Sequence, residues 1–134
     1  INKSSAQTLY SLELLDFVGL TIWIVGFVFE SVGDSQLAKF IKNPENKGKL
    51  MQGGLWKYTR HPNYFGEVTM WWGIWIISLS ASAVFWSVIS PITITFLILK
   101  VSGIPMLEKK MEENPEFAEY KKRTSVFVPW FPKT

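Results

Sequence analysis

The stretch "EVTMWWGIWIISLSASAVFWSVISPITITFLILK", residues 67–100, decides the fold. Between Glu67 and Lys100 lie 32 residues without a charge. One helix of that length would run roughly 48 Å, whereas the hydrocarbon core of a bilayer is about 30 Å thick. The run predicts a helical hairpin turning near "SLSAS", Ser78 to Ser82, with arms at about Tyr64 to Leu79 and Ala83 to Ile104. Each arm is slightly short for the bilayer, so its charged ends belong at the headgroups. Pro91 marks a place where the second arm can kink.

Towards the N-terminus, a second apolar segment runs from Leu14 to Val32. Its uncharged centre, Phe17 to Phe29, has 13 residues, which suits a buried or interfacial helix when taken alone. With Asp16 and Glu30 near the two interfaces it reads as a third span. After the hairpin, Met106, Leu107 and Met111 recur at helical spacing, and Pro115 breaks or restarts that helix. The fold expected is all-α: a single integral membrane domain over residues 1–134, with about three transmembrane helices and a short cytoplasmic amphipathic helix.

Composition agrees. Of 134 residues 48% are hydrophobic, 19% are charged and seven are Trp, a profile that points to a membrane protein. No cysteine is present, which excludes disulfides, thiolate nucleophiles and Cys-type zinc sites. The first residue is Ile1, so the chain reads as a fragment or a processed product, and its start lacks a signal-peptide pattern. Of 14 Lys and Arg, only Lys3 precedes the first apolar segment; six lie from Lys39 to Arg60 and seven from Lys100 to Lys133. The positive-inside rule puts both basic segments in the cytoplasm and the uncharged turn outside.

The polar residues cluster where the basic loops meet the spans. "KYTRHPNYFGE", residues 57–67, holds the only histidine. Glu30 and Asp34 are i,i+4 partners, as are Asn63 and Glu67, so each pair shares a helix face. Two like charges so placed are unfavourable unless a cation or ligand lies between them. Pro62 disfavours helix at His61, which makes Asn63 a candidate N-cap. The bland alternatives stay open: Asn63 as a cap only, Glu67 as a partner of the helix N-terminus, Lys57 and Arg60 as contacts to lipid phosphates, and His61 as a residue that fixes the turn. As a group, ionisable residues beside membrane segments line cavities more often than not. Convergent donors and acceptors beside cations suit a soluble anionic cofactor. Metal binding has no supporting ligand spacing. Nucleic-acid binding has no support either, since the cations adjoin membrane segments.

The segments "FIKNPENKGKLMQGGLWKYTRHPNYFGE" and "SGIPMLEKKMEENPEFAEYKKRTSVFVPWFP" resemble the C-terminal half of the sterol and steroid reductase superfamily. They are most similar to the bacterial membrane proteins that share the steroid 5-alpha-reductase C-terminal domain. Isoprenylcysteine carboxyl methyltransferases and phospholipid methyltransferases carry a similar Arg-His-Pro-x-Tyr motif. The resemblance implies a cytoplasm-facing NADPH site, carried over onto Glu30, Asp34, Lys42, Arg60, His61, Asn63, Tyr64, Glu67, Glu108 and Tyr120. Tyr64 and Glu67 are the candidate catalytic groups. The reaction implied is hydride transfer to an activated double bond of a steroid-like or other lipid substrate, in a bacterial inner membrane or the endoplasmic reticulum. The alternatives are a methyltransferase using S-adenosylmethionine and a non-catalytic membrane module. The helices in which steroid reductases place their substrate-polarising Glu and Tyr are absent from this sequence. The oligomeric state is not legible.

Overall fold

The computed structural model describes residues 3–81 and 85–133. Within them the fold is all-helical, and the one bridge between extended segments joins Thr59 to Ser125 in parallel. The first helix, α1, runs Lys3–Lys42, and the second, α2, runs Pro62–Ser80. Three shorter helices follow: α3 (Ile89–Phe96), α4 (Ile104–Met111) and α5 (Phe117–Arg123).

At 40 residues, α1 is about 60 Å long. It continues well past Val32, the expected end of the apolar segment, because Asp34, Lys39 and Lys42 do not interrupt a helix. Asn43-Pro44 does: the residue before proline leaves the helical region, and Asn43 is extended at φ −81°, ψ 116°. Its side chain then accepts from Glu45 N at 3.0 Å to start a short 3-10 turn.

The pairing of α1 with α2 rests on glycines. Gly19, Gly26 and Gly33 are seven apart on α1, and Gly66 and Gly73 are seven apart on α2. A Cβ on Gly26 would lie 2.6 Å from Gly66 O, and one on Gly73 would lie 2.7 Å from Gly19 O. At Gly33 the neighbour is the Pro62 ring. Backbone therefore meets backbone along an antiparallel seam, the close approach that small residues permit between helices in lipid. Outward, α1 exposes Leu14, Phe17, Leu20, Ile24 and Phe27, an apolar face suited to lipid.

Among the described residues, two stretches are long and apolar enough to cross a membrane, Glu13–Lys42 and Phe85–Met111. The expected count of about three spans is not confirmed, since α2 lies outside that pair. Glu67 and the weakly hydropathic Trp71, Trp72 and Trp75 dilute it. Indole donors tie α2 to the second arm of the hairpin instead, from Trp72 Nε1 to Thr95 Oγ1 and from Trp75 Nε1 to Ser87 Oγ, each at 3.0 Å. The expected turn begins as foreseen, with α2 ending at Ser80, but residues 82–84 lie outside the described part.

The second arm of the hairpin is not the single helix expected over Ala83 to Ile104. It opens with a 3-10 turn, Phe85–Val88, continues as α3, and passes into a π-type turn at Leu97–Val101. Pro91 lies in the first turn of α3, where its missing N–H breaks no helical bond. The break falls at Gly103, where an added Cβ would meet Ile98 O at 2.8 Å. Val68, Ile98 and Ile104 form the core here, flanked by Tyr64, Trp72 and Phe127.

Candidate cofactor site

The site is built on the segment Thr59–His61, which every neighbouring element helps to hold. Trp56, in the 3-10 turn Gly54–Lys57, donates its indole N–H to Gly33 O at 3.0 Å. Tyr120 on α5 donates its hydroxyl to Trp56 O at 2.5 Å. Thr59 Oγ1 donates to Phe127 O at 2.7 Å and accepts from His61 N at 3.2 Å. Arg60 N donates to Ser125 O at 2.8 Å. Burial of this segment is tolerable because these backbone groups are satisfied.

The helix start differs from the sequence expectation. His61 is the N-cap, at φ −141° and ψ 64°, with Pro62 as the first helical residue. A proline fits there, where an N–H would have no partner. Asn63 therefore lies inside the first turn and is not the cap. Its Oδ1 accepts from Tyr64 N at 2.9 Å.

Two clusters result. In the first, Glu108 on α4 presents Oε1 to His61 Nε2 at 2.9 Å and to Arg60 Nε at 3.4 Å. The arginine contact is an ion pair without hydrogen-bond geometry, since Arg60 Nε and Nη1 are both buried without a hydrogen-bond partner. The guanidinium also lies over the Phe117 ring, 5.9 Å from its centroid. Burial lowers the His61 pKa below its ordinary value, and the bond to Glu108 only partly offsets this. A neutral His61 that donates Nε2–H to Glu108 keeps an acceptor lone pair on Nδ1, and that atom is buried without a partner. Burial pushes the Tyr120 phenol upward, so it stays protonated as the donor to Trp56 O.

The second cluster lies on the α1–α2 seam. The close crossing at Gly26 and Gly66 brings Glu67 and Asp34 within electrostatic reach of Glu30. Glu30 Oε2 is buried without a hydrogen-bond partner. Asn63 and Glu67 occupy one face of α2, with Asn63 N near Gly33. Tyr64 joins the clusters, with its ring 5.8 Å from that of His61. Nine of the ten expected site residues thus gather at one end of the α1–α2 pair. Lys42 does not: it is exposed in the last turn of α1, about 12 Å further along the axis than Asp34. Sequence reading missed Trp56, Thr59 and the glycine seam. The seven-residue glycine spacing was the available signal for the seam, while nothing local marks Trp56 and Thr59.

A family model described as "Protein of unknown function (DUF1295)" matches residues 1–124. The chain belongs to the DUF1295 family. That family in turn belongs to the steroid 5-alpha-reductase family. The chain is 27% identical over 114 residues to 3-oxo-5-alpha-steroid 4-dehydrogenase 1 of Rattus norvegicus, covering 84% of this chain and 40% of the relative. It is 41% identical over 70 residues to the probable O-methyltransferase ustE of Ustilaginoidea virens, covering 52% and 24%. It is 29% identical over 79 residues to very-long-chain enoyl-CoA reductase of Dictyostelium discoideum, covering 52% and 26%. The chain thus spans at most 40% of the length of these relatives. No solved structure matches it. With its apolar helices, this kinship makes the chain an integral membrane protein.

Proposed function

We propose that the chain is the cofactor-binding part of an NADPH-dependent membrane reductase acting on an activated carbon–carbon double bond of a steroid-like or other lipid substrate. The observation that carries this reading is Arg60: a guanidinium buried to 6% exposure, with two N–H-bearing atoms that Glu108 does not satisfy by hydrogen bonds. Donors left open in a buried arginine suit an anionic group such as a phosphate. The relatives named as a steroid 4-dehydrogenase and an enoyl-CoA reductase support the reaction class.

The residues present fit the group. Arg60 would hold a phosphate, His61 Nδ1 and Asn63 would accept from or donate to polar edges, and Glu30 and Glu67 would accept from ribose hydroxyls or a carboxamide. Asp34 lies on the same face, one turn further on. When bound, the dinucleotide supplies the hydride. Glu108 keeps the His61 ring oriented and balances Arg60. Tyr120 holds the carbonyl of Trp56 and with it the loop. Tyr64 and Glu67 are the candidate proton-holding groups nearest the seam. The excess of Lys and Arg in the loops supports a cytoplasmic position for this end of the molecule, in a bacterial inner membrane or the endoplasmic reticulum.

A second reading, an S-adenosylmethionine-dependent methyltransferase, is favoured by the 41% identity to an O-methyltransferase. The paired Glu30 and Asp34, with Gly66-Glu67 after Tyr64, favour the reductase. The test is NADPH titration of Glu67→Gln beside its ligand-free thermal melt. Loss of a charge-assisted bond worth about 1.5–3 kcal/mol weakens binding roughly ten- to hundredfold. A lowered melt with unchanged affinity would return Glu67 to a structural role.

A further inference from the structure

The segment Thr124–Phe131 leaves α5 as an irregular stretch, in which Ser125 Oγ donates to Val128 O at 2.5 Å, and from Ser125 onward it alternates in burial. Thr124 is buried and Phe127 half-buried, while Val126, Val128 and Trp130 face outward. Phe127 packs on the Val68–Ile98–Ile104 core and edge-on to Phe65, at 5.6 Å between centroids. The outward face is entirely apolar, and Trp130 and Phe131 are 69% and 75% exposed. The segment is also firmly held. Trp130 N donates to Tyr58 O at 3.0 Å, Lys133 N donates to Arg123 O at 2.9 Å, and Phe131 stacks edge-on to Tyr58.

Cations border this face. A hollow of about 360 Å³ lies between the segment and α5, lined by Lys121, Lys122, Arg123, Lys133, Trp130 and Phe131, with Arg60 also reaching it. Among the described residues, two carboxylates pair with this set, exposed Glu119 at 3.7 Å from Lys122 and Glu108 at 3.4 Å from Arg60 Nε, and Arg123 donates to Gln52 Oε1 at 2.9 Å. The hollow therefore keeps a positive balance.

We infer that Val126, Val128 and Trp130 lie against the bilayer and that the hollow beside them takes the phosphate headgroup of an anionic phospholipid. Charge complementarity and the apolar face together specify this occupant. A free phosphate needs no apolar wall, and a neutral lipid needs no lysine cluster. Aromatic rings at headgroup level and basic residues beside them are the usual anchors of a membrane interface. The inference needs neither dinucleotide nor substrate, but it shares Arg60 with the reductase reading, since that residue also lines the hollow.

The test uses the full chain in nanodiscs of phosphatidylcholine doped with brominated phosphatidylglycerol or, separately, brominated phosphatidylcholine. The Trp130 signal is the difference between wild type and Trp130→Phe. Stronger quenching by the brominated phosphatidylglycerol is expected, falling about fivefold in selectivity for each of Lys121→Gln and Lys122→Gln, the equivalent of about 1 kcal/mol per cation. Equal quenching by both lipids overturns the headgroup assignment. No quenching shows that water or protein covers the face. Loss of selective quenching on adding NADPH gives the hollow to the dinucleotide.

Discussion

Glu108→Ala is the most informative single change, because one carboxylate oxygen serves two buried partners. It receives His61 Nε2 at 2.9 Å and pairs with Arg60 Nε at 3.4 Å. The side chains of His61, Arg60 and Glu108 are 0%, 7% and 14% exposed. Removing one member of a buried pair costs about 3–5 kcal/mol, chiefly because the other charge remains buried. The partial exposure of Glu108 admits some solvent, so the lower end, about 3 kcal/mol, is expected. Glu108→Gln keeps an acceptor for His61 and loses only charge assistance, a cost of about 1 kcal/mol. Exposed Glu113 on the segment after α4 supplies the control, and Glu113→Ala should stay within about 0.5 kcal/mol. Denaturant unfolding in mild detergent, followed by circular dichroism, reads all three. A Glu108→Ala cost no larger than that of Glu113→Ala would refute the argument that this carboxylate holds the loop.

Three further outcomes are expected. Burial depresses His61 below its ordinary value of 6.5, so the unfolded chain binds the proton first as pH falls; the stability is present above about pH 6.5 and is lost below it, and Glu108→Gln, which removes a raising influence, extends that loss to lower pH in the same unfolding assay. Gly26→Ala drives a methyl against Gly66 O and Met70 N, at 2.6 and 2.7 Å, and should cost about 1–3 kcal/mol, whereas Gly53→Ala, whose nearest atom is Met51 Cε at 4.0 Å, should be nearly neutral. A cysteine at exposed Ala81 should react with an impermeant thiol reagent from the non-cytoplasmic side and one at exposed Lys49 should not, and the reverse pattern would invert the topology.

Where a signal was periodic or compositional, the sequence carried it. Charge-free length foretold the hairpin, and its first arm, expected at Tyr64–Leu79, forms as Pro62–Ser80. Met106, Leu107 and Met111 foretold α4, and Pro115 duly separates it from α5. The failures were of two kinds. Asn63 was misplaced by two residues because the cap preference of Asn competes with the fixed φ of Pro62, and the proline sets the helix start. The contacts of Trp56, Thr59 and Tyr120 were invisible because they join residues more than 20 apart through backbone carbonyls, as in Tyr120 to Trp56 O and Thr59 to Phe127 O. The glycine seam was legible in principle as a seven-residue spacing on two helices. Its register emerges only once the helices are seen to run antiparallel, with Gly19 against Gly73 and Gly26 against Gly66.

The central claim is that the Arg60 end of the α1–α2 pair accepts a phosphorylated dinucleotide. Equilibrium titration of the purified chain in detergent with NADPH and, in parallel, with S-adenosylmethionine tests it most directly. The account predicts saturable NADPH binding that drops in Arg60→Ala while the helical content is kept. Saturable S-adenosylmethionine binding with none for NADPH would contradict it.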